Sequence, residues 1–479
     1  MPSPMSSTPG SEVFERRLEL PLSAEDAFAW HTRAGAFARL NPPWAPAKVL
    51  SQTGTIHDGD RLEVSVPIGP LGLIRKRWWA RHQGFVAGRQ FQDVQEPGGP
   101  FARFEHTHRL EPRGLANCEL VDHIEYVLPL GRLGRWCGGG LARSTLERVF
   151  RYRHAIMQGD MRLLSKSREL TPMKVLVTGA TGLVGSSLGP LLTTQGHELF
   201  RLVRKAPSEA NDIPWDPAAG TLHAARLDGL DAVVHLAGEN IAGARWTTSV
   251  KRKLRDSRVQ PTRLLCETLA ALPRKPKVLI CASAIGYYGD RGLQPLSENS
   301  GPGEGFLPDL CVEWEAACQP ALEAGIRVVH LRTGIVLSPQ GGALQKMLLP
   351  FQCGVGGVIG SGRQYWSWIA LDDLIGSILH CLQHEDVAGP VNGTAPFPVT
   401  NYEFTKTLGG VLGRPTVLPV PAFAAKLALG EMANDLLLSS ARVLPEQLER
   451  TGYKFRFPRL EGALRHLLGK AVVGPGGES

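Results

Sequence analysis

The chain changes its hydrophobic pattern near residue 172. Before this point, the segments RLEVSVPIG, RFEHTHRLEP and ELVDHIEYVLPL alternate apolar and polar residues. Alternation with a period of two is typical of half-buried antiparallel strands. After it, the segments MKVLVTG, HELFRLVR, DAVVHLAG, KVLICAS and RVVHLR are apolar runs rich in β-branched residues. Such runs indicate the strands of a parallel sheet that is buried on both faces.

Two helical patterns complete the first segment. Ser23 opens SAEDAFAWHTR as a predicted N-cap, with acidic residues in the first turn. From Leu141 onwards, apolar residues recur at helical spacing and predict a long amphipathic helix with a basic outer face. These apolar positions are Leu146, Phe150, Met157, Met161 and Leu164. Strands that curl around this helix would enclose an apolar cavity, so we expect an α+β domain with an apolar interior.

The second segment alternates strands with helices, which predicts a doubly wound α/β fold of the Rossmann type. Its helical stretches include VKRKLRDSRVQPTRLLCETLAAL and LPDLCVEWEAACQPALEAG, the latter ending at Gly325. Pro172 disfavours helix at the residue before it, so the first domain is expected to end there. We therefore predict three domains, at residues 11–170, 173–400 and 401–470, the last being small and helical.

A glycine-rich loop joins the first strand of the second segment to a helix. In VTGATGLVGSSL, Gly179 permits a tight turn, Gly182 lets the backbone approach a diphosphate, and Gly185 lets the helix pack close to the strand. The diphosphate is expected at the helix N-terminus, where free N–H groups attract negative charge. Further cofactor contacts are predicted from the same loop, at Thr181, Leu183 and Val184.

The residues LFRLVRKAP indicate which cofactor binds. They form the end of the second strand of this segment. An NAD site places an acidic residue about 20 residues after the glycines, where it binds the ribose hydroxyl. Arg204 and Lys205 stand there instead, and an arginine suits a 2′-phosphate. We therefore predict NADP(H), against the alternative of a solvated basic pair at a strand end.

Composition narrows the classes of protein that the chain can belong to. It has 479 residues, of which 43% are hydrophobic and 20% charged, which excludes a disordered protein. The net charge of +8 is spread along the chain. The basic run Arg75–Arg77 beside Trp78 and Trp79 is interpreted as a solvated edge strand, not a nucleic-acid surface. No apolar stretch approaches the ~18 residues of a membrane span, so neither nucleic acid nor membrane is an expected partner.

The cysteines and histidines point to no metal site in the sequence. None of the eight cysteines belongs to a CxxC pair, and the N-terminus lacks the apolar core of a signal peptide. Both observations predict a reducing compartment, most simply the cytoplasm. His106 and His108 share one face of a strand, but no third ligand follows at a recognisable spacing. They are therefore interpreted as a half-buried pair that binds no metal.

These motifs resemble two known families. The segments VFERRLELPLSAEDAFAW, FQDVQEPGGPFARFEHTHRLEP and DHIEYVLPLGRLG resemble the START-like helix-grip superfamily (SRPBCC) of polyketide cyclases and lipid-transfer proteins. From Met173 to about Gly469, the chain resembles the atypical "epimerase family" branch of the extended short-chain dehydrogenases/reductases, including its small C-terminal domain. The motifs are VTGATGLVG, DAVVHLAGENIAGARW, SAIGYYGD, LRTGIVLS, GSGRQYWSWIALDDL and NGTAPFPVTNYEF.

The second resemblance implies further cofactor contacts. Leu236, Ala237 and Gly238, at the end of a strand, would line the adenosine side of the cofactor. Arg258, in the helical segment DSRVQPT, would either reach the cofactor or form a surface salt bridge. Nucleotide-sugar epimerases are the relatives of this branch, so the expected substrate is a small molecule.

The resemblance also implies a catalytic serine with a Tyr-x-x-x-Lys pair, in which the lysine lowers the pKa of the tyrosine. Ser283 matches the serine position, but Leu307 and Cys311 occupy the other two. The Tyr-x-x-x-Lys pattern at Tyr402–Lys406 is interpreted as chance on an exposed helix. Tyr287 is the remaining candidate, and it either replaces the missing acid or forms a wall of the pocket.

Two functions remain open from the sequence. The first is an NADP(H)-dependent oxidoreductase or epimerase-like enzyme, in which hydride passes to or from nicotinamide. The second is a non-catalytic NADP(H)-responsive binding or regulatory protein, because the Tyr and Lys are missing. In either case, the N-terminal cup would hold an apolar ligand close to the second site.

Overall fold

A computed structural model of the chain describes residues 11–68, 74–166 and 171–470. These residues divide into two compact units, of which the first ends before residue 171 and also takes in 193–196. The second unit contains the remaining residues from 171 onwards, including the whole stretch 401–470. The finer division at residue 400 stays a prediction. Among the described residues, no helix combines the length and apolar character that crossing a bilayer requires.

The first unit is an antiparallel sheet with one long helix. Its seven described strands follow the order β1-β7-β6-β5-β4-β3-β2. In chain order its elements are β1 (Glu12–Leu20), α1 (Ala24–Thr32), α2 (Ala36–Arg39), β2 (Lys48–Thr53), β3 (Arg61–Ile68), β4 (Ile74–Val86), β5 (Gln90–Gln95), β6 (Arg103–Pro112), β7 (Cys118–Val127) and α3 (Gly131–Lys166).

The apolar stripe of α3 forms the core of this unit, as its spacing predicts. Phe150 packs with Phe14 and Ile124 of the sheet, and Met161 packs with Leu120 and Trp30. The N-cap at Ser23 is confirmed, since its hydroxyl accepts the Asp26 N–H and satisfies a helical donor. The helix begins ten residues earlier than expected, at Gly131 and not at Leu141.

The basic run Arg75–Arg77 lies near the start of β4, where its residues pair with β3. The described pairing of β4 with β5 begins only at Ala80, so it does not extend along the run. Although β1 and β2 are the edge strands of the sheet, this part of β4 is paired on one side only among the described pairs. Arg75 and Arg77 are exposed, and the Arg75 guanidinium donates to the Ser65 hydroxyl on β3.

A cluster of histidines and aspartates interrupts the apolar interior of the first unit. His106 and His108 are 2% and 7% exposed, so the expectation of a half-buried pair is wrong. A third side chain of a ligating type lies beside them, because Asp93 of β5 is opposite His106 in the strand register. Spacing along the chain does not reveal this neighbour, since the register between strands decides it.

The second unit is a doubly wound parallel sheet. Its order is β11-β10-β9-β8-β12-β13-β15-β19, in which all described pairs are parallel except β10 with β11. The main elements are β8 (Lys174–Thr178), α4 (Gly185–Thr194), β9 (Glu198–Val203), β10 (Asp212–Asp216), β11 (Thr221–Leu222), β12 (Ala232–His235), α5 (Thr248–Ala270), β13 (Val278–Ala284), β14 (Pro295–Leu296), α6 (Phe306–Ala316), α7 (Gln319–Glu323), β15 (Arg327–Thr333), β16 (Ile335–Leu337), α8 (Gly342–Gln352), β17 (Tyr365–Trp366), β18 (Trp368–Ala370), α9 (Leu371–Gln383), β19 (Gly389–Gly393), β20 (Val399–Thr400), α10 (Asn401–Leu412), α11 (Ala422–Leu429), β21 (Arg442–Val443), α12 (Glu446–Arg450) and α13 (Leu460–Leu467).

The order of the strands reverses at β8, which has β9 on one side and β12 on the other. In open α/β sheets, ligands bind beyond the carboxyl ends of the strands at such a reversal. The single helix expected up to Gly325 is instead two helices, α6 and α7. Pro320 explains the break, because it has no N–H to continue the hydrogen bonds of α6, whereas it is tolerated in the first turn of α7.

The C-terminal stretch packs onto the second unit through small sheets and one apolar cluster. β14 pairs with β21, and β17 pairs with β20. The cluster joins side chains from β18, α8, α10 and α13: Trp368, Leu344, Phe404 and Leu464 are all at most 1% exposed. This packing holds the C-terminal helices against the loops that follow the carboxyl ends of the main strands.

Candidate functional site

The glycine loop has the geometry that its spacing predicts. Gly179 has φ +66°, a conformation that side-chain-bearing residues rarely adopt. A Cβ on Gly185 would lie 2.8 Å from the Ala180 Cα and closer still to the Gly179 carbonyl oxygen. Gly182 closes the turn by donating its N–H to the Gly179 carbonyl, at 2.9 Å. The loop therefore brings the start of α4 against the end of β8.

The residues between these glycines differ in exposure. Thr181 and Gly182 are exposed, whereas Leu183 and Val184 are half-buried. Leu183 lies against the turn before α8, 3.2 Å from the position of a Cβ on Gly341. An anion at the start of α4 would thus meet the exposed backbone at residues 181–182.

A buried threonine fixes the loop that follows β12. The Thr178 hydroxyl accepts the N–H groups of Leu236 and Ala237, both at 3.1 Å. Its oxygen also lies 2.8 Å from Nδ1 of His235, whose other nitrogen lies 3.0 Å from the Thr262 hydroxyl. Burial lowers the pKa of His235 to about 4, so this imidazole is neutral at pH 7. The loop predicted to line the adenosine side is therefore rigid and close to Gly179.

Arg258 packs against this loop and donates a hydrogen bond to its backbone. It is 9% exposed, and its guanidinium donates to the carbonyls of Glu239 and Leu254, at 2.9 and 3.0 Å. Its carbon chain lies 3.5 Å from the position of a Cβ on Gly238, and its cation lies over the Trp314 ring. The expected alternative of a surface salt bridge is wrong, because the side chain is buried against backbone oxygens.

Arg204 and Lys205 follow the carboxyl end of β9 and are both exposed. β9 is the immediate neighbour of β8, which carries the glycine loop. The two cations therefore lie at the same edge of the sheet as the start of α4. Exposed groups in this place are free to meet a ligand phosphate.

Ser283 belongs to a buried polar network at the carboxyl end of β13. Its hydroxyl donates to Glu315 Oε1 at 2.7 Å. The same carboxylate receives two hydrogen bonds from Arg332 of β15, both at 2.8 Å. Burial opposes the charge of Arg332, but the hydrogen bonds with Glu315 hold its pKa above the usual value. Arg332 is therefore charged, and its ion pair with Glu315 orients the serine.

The two tyrosines after Ser283 have different roles in this network. The Tyr288 hydroxyl donates to Asn392 at 2.7 Å and accepts from Arg332 at 3.1 Å. Burial raises the pKa of Tyr288 to about 12, so it stays protonated. Tyr287 is half-buried, with the Arg332 guanidinium carbon 3.4 Å from its ring centroid. Among the described residues, no group bonds the Tyr287 hydroxyl.

The positions of the missing Tyr and Lys lie in this same place. Leu307 of α6 is 3.3 Å from the position of a Cβ on Gly286, next to Tyr287. The Cys311 thiol donates to the Ala284 carbonyl at 3.7 Å. Burial raises the pKa of Cys311 to about 12, so the thiol is neutral at pH 7. Apolar packing thus replaces the tyrosine and lysine of the pattern.

Other polar groups of the second unit have partners of their own. Asp290 accepts the N–H groups of Gly292 and Ser440, which fixes a loop. The Lys406 ammonium of α10 lies 5.5 Å from the Tyr402 ring and donates to the Thr416 carbonyl. Tyr402 is 53% exposed, as expected for a pattern that arose by chance.

Two members of the Ser283 network, Arg332 and Glu315, were not predicted from the sequence. Arg332 stands at the end of an apolar strand, RVVHLR, and is only 4% exposed. A charged side chain in such a strand needs a buried partner, so this arginine in the sequence already indicated an ion pair in the interior. Its partner Glu315 lies 17 residues earlier on another element, so the pairing itself could not be read from spacing.

Three family models match the chain. The NAD dependent epimerase/dehydratase family matches residues 175–392, and the polyketide cyclase / dehydrase and lipid transport family matches residues 20–150. A domain of unknown function matches residues 420–467. An epimerase family protein of Mycobacterium bovis is 43% identical over 302 residues, which cover 63% of this chain and 98% of the relative.

The chain belongs to this epimerase family. The human family member SDR39U1 is 38% identical over 299 residues, which cover 62% of this chain and 100% of the relative. The second unit of this chain is thus an NAD(P)-binding Rossmann fold with a C-terminal helical region, and it follows an SRPBCC-type domain.

Solved structures of the family extend the likeness to three dimensions. The structure titled nucleoside-diphosphate sugar epimerase from Corynebacterium glutamicum has a TM-score of 0.78 at 34% identity, covering 95% of this chain and 90% of that one. Human SDR39U1 (isoform2) with NADPH has a TM-score of 0.57 at 37% identity, covering 62% and 99%. The first likeness spans both units, and the second spans the epimerase unit.

Proposed function

We propose that the second unit binds NADP(H) and transfers hydride to or from a small molecule. The glycine loop supports this proposal, because Gly185 leaves no room for a Cβ and Gly182 is exposed at the start of α4. The single observation that carries the choice of NADP(H) is the exposed pair Arg204 and Lys205 beside that loop. The NADPH in the structure of the human relative favours the same cofactor.

The Ser283 network would hold the oxygen of the reacting carbon. When bound, nicotinamide accepts or delivers the hydride. In the reducing direction, the Tyr287 hydroxyl gives its proton to the carbonyl oxygen, and water later returns it. Arg332, stacked on the Tyr287 ring, balances the negative charge that remains. Ser283 would accept a hydrogen bond from the hydroxyl form of the substrate, since its own proton is directed to Glu315.

Calorimetric titration with NADPH and NADH tests the cofactor. Wild-type protein is expected to bind NADPH more tightly, because Arg204 and Lys205 meet the extra phosphate. In Arg204→Ala/Lys205→Ala, the affinity for NADPH should fall at least tenfold, about 1.4 kcal/mol, while that for NADH stays unchanged. Lys174→Ala is the matched control, since this exposed lysine lies at the opposite end of β8. Equal binding of NADH and NADPH to wild type would contradict the proposal.

Turnover of NADPH with a panel of carbonyl compounds tests the chemistry. Tyr287→Phe removes only the hydroxyl and should lower kcat by ~10²–10⁴, the usual contribution of a general acid. Tyr402→Phe is the control, because this exposed tyrosine lies on α10. Turnover that is unaffected by Tyr287→Phe and Ser283→Ala would contradict the assigned roles.

A second candidate function has its own observation. Leu307 and Cys311 replace the Tyr-x-x-x-Lys pair with packed, uncharged side chains. This favours a protein that binds NADP(H) and changes its interactions without turnover. Tight NADPH binding with no turnover on any compound of the panel would favour this regulatory alternative.

The first unit is proposed to hold a small ligand between its sheet and α3, and neither nucleic acid nor membrane is a proposed partner. The match to the polyketide cyclase and lipid transport family supports ligand binding. The proposal that the ligand is apolar rests on the apolar core residues around α3. The cytoplasm remains the proposed location. All eight cysteines are free, which fits a reducing compartment.

A further inference from the structure

Four adjacent strands of the first unit bring acids and imidazoles onto one face of the sheet. In the register of β4, β5 and β6, His82 lies opposite Asp93, and Asp93 lies opposite His106. On β6 and β7, His108 lies opposite Asp122. Directly opposed residues point to the same face, so these side chains converge beneath α3.

Three of these side chains offer ligand atoms that converge on one point. Oδ2 of Asp93 lies 3.5 Å from Nε2 of His108 and 3.9 Å from Nδ1 of His106. One ligand atom from each of the three residues lies within 4.8 Å of the other two. With metal–ligand bonds of ~2.0–2.2 Å, two ligands of a tetrahedral ion stand ~3.3–3.6 Å apart. The two distances from Asp93 therefore lie within about 0.6 Å of the spacing that an ion requires.

The remaining nitrogens of both histidines meet a second carboxylate. Oδ1 of Asp122 lies 3.0 Å from Nε2 of His106 and 2.8 Å from Nδ1 of His108. This leaves Nδ1 of His106 and Nε2 of His108 as the nitrogens directed at Asp93. A carboxylate behind each ligating imidazole is the usual outer support of a protein metal site, since it fixes the tautomer and the ring orientation.

Each carboxylate is itself held in place by a further histidine. Oδ1 of Asp93 lies 2.7 Å from Nδ1 of His82, and Oδ2 of Asp122 lies 2.8 Å from Nε2 of His154 on α3. The arrangement is therefore fixed from four strands and from the helix. A site whose ligands are already oriented loses less entropy when an ion binds.

The charge and the surroundings also suit a divalent ion. The carboxylates of Asp93 and Asp122 neutralise a 2+ charge, which a buried site requires. Aromatic rings exclude water on two sides, since Phe91 stacks on His108 with centroids 4.3 Å apart and Phe150 meets His106 edge-on at 5.2 Å. The Asp93 side chain is 27% exposed and provides a route for entry.

We propose that Asp93, His106 and His108 bind one divalent transition-metal ion of the zinc or iron(II) class, with Asp122 as the outer carboxylate. Two imidazoles and one carboxylate exclude Mg²⁺ and Ca²⁺, which prefer oxygen ligands. Three protein ligands leave at least one coordination position for water or for a ligand of the cup. Near these positions, the buried Nε2 of His31 has no partner among the described residues, and its ring centroid lies 6.1 Å from that of His108.

Titration with Co²⁺ tests the proposal on full-length, tag-free protein that has been treated with EDTA and dialysed. We expect one Co²⁺ per chain with visible d–d absorption of a site with nitrogen ligands, and competition by Zn²⁺. Asp93→Asn and His106→Gln each remove a ligand and should abolish this binding. Asp122→Asn keeps all three ligands and should weaken it ~10–100-fold, as the loss of outer support does.

The matched control is His123→Ala on β7. His123 also lies beside carboxylates, with Nδ1 3.1 Å from Glu15, but the adjacent residue of a strand faces the opposite side of the sheet. This variant should bind Co²⁺ as wild type does. Circular dichroism of each variant confirms that it is folded. Wild-type protein that takes up no Co²⁺, or folded Asp93→Asn and His106→Gln variants that bind it as tightly as wild type, would overturn the proposal.

Discussion

Adding one methyl group at Gly185 tests the packing role of the glycine loop. In Gly185→Ala, the new Cβ would lie 2.8 Å from the Ala180 Cα, and closer to the Gly179 carbonyl oxygen. Carbon atoms in contact stand ~3.5–4.0 Å apart, so the backbone must move by about 1 Å. Overpacking of this kind lowers the free energy of unfolding by ~1–3 kcal/mol. The displaced loop should also bind NADPH more weakly.

Gly182→Ala tests the approach of the cofactor to the backbone without a change in packing. The new Cβ would lie 3.2 Å from the Gly179 carbonyl oxygen, with no other atom within 4 Å. The fold should tolerate this methyl group, because Gly182 is exposed. It would, however, keep the diphosphate away from the backbone. We expect the affinity for NADPH to fall at least tenfold, about 1.4 kcal/mol, with an unchanged melting temperature.

Differential scanning calorimetry and NADPH titration separate the two effects. Gly410→Ala is the control, since Gly410 is exposed on α10 and a Cβ there meets nothing within 4 Å. Alanine favours helix over glycine, so this variant should be more stable by up to ~1 kcal/mol and bind NADPH normally. The reasoning is refuted if Gly185→Ala melts and binds as wild type, or if Gly182→Ala binds NADPH unchanged.

Two further predictions concern buried charges in the second unit. Burial raises the pKa of Asp373 from 3.8 to about 6. The folded state therefore retains a proton that the unfolded state releases, and the free energy of unfolding should fall by ~3 kcal/mol as the pH rises from about 3 to about 7. Urea unfolding across this range checks it. In Arg332→Leu, the buried Glu315 loses its partner, so the free energy of unfolding should fall by ~3–5 kcal/mol.

Each of these predictions has a matched variant. Asp373→Asn is uncharged at every pH, so its free energy of unfolding should lose this part of the pH dependence. If it changed with pH as steeply as in wild type, the assignment to Asp373 would be contradicted. Glu315→Leu/Arg332→Leu removes both charges and should recover part of the stability lost in Arg332→Leu. If the double variant were less stable than Arg332→Leu, the unpaired charge of Glu315 would not account for the stability that Arg332→Leu loses.

Much of the fold could be predicted from local patterns. The glycine loop, the Ser23 N-cap and the apolar stripe of α3 depend on neighbours within a few residues along the chain. Their physical causes are the positive φ of Gly179, the free N–H groups of a first helical turn, and the 3.6-residue period. Sequence alone therefore determined the fold class of both units and the place where an anion would meet α4.

The polar networks were decided by tertiary structure alone. Glu315 meets Arg332 because α6 packs against β13, whose neighbour in the sheet is β15. Asp93 meets His106 because of the register of β5 with β6. The sequence shows each of these charged groups but not its partner, since partners on separate elements have no fixed spacing along the chain. Burial then makes each pairing necessary, because an unpaired charge in the interior is costly.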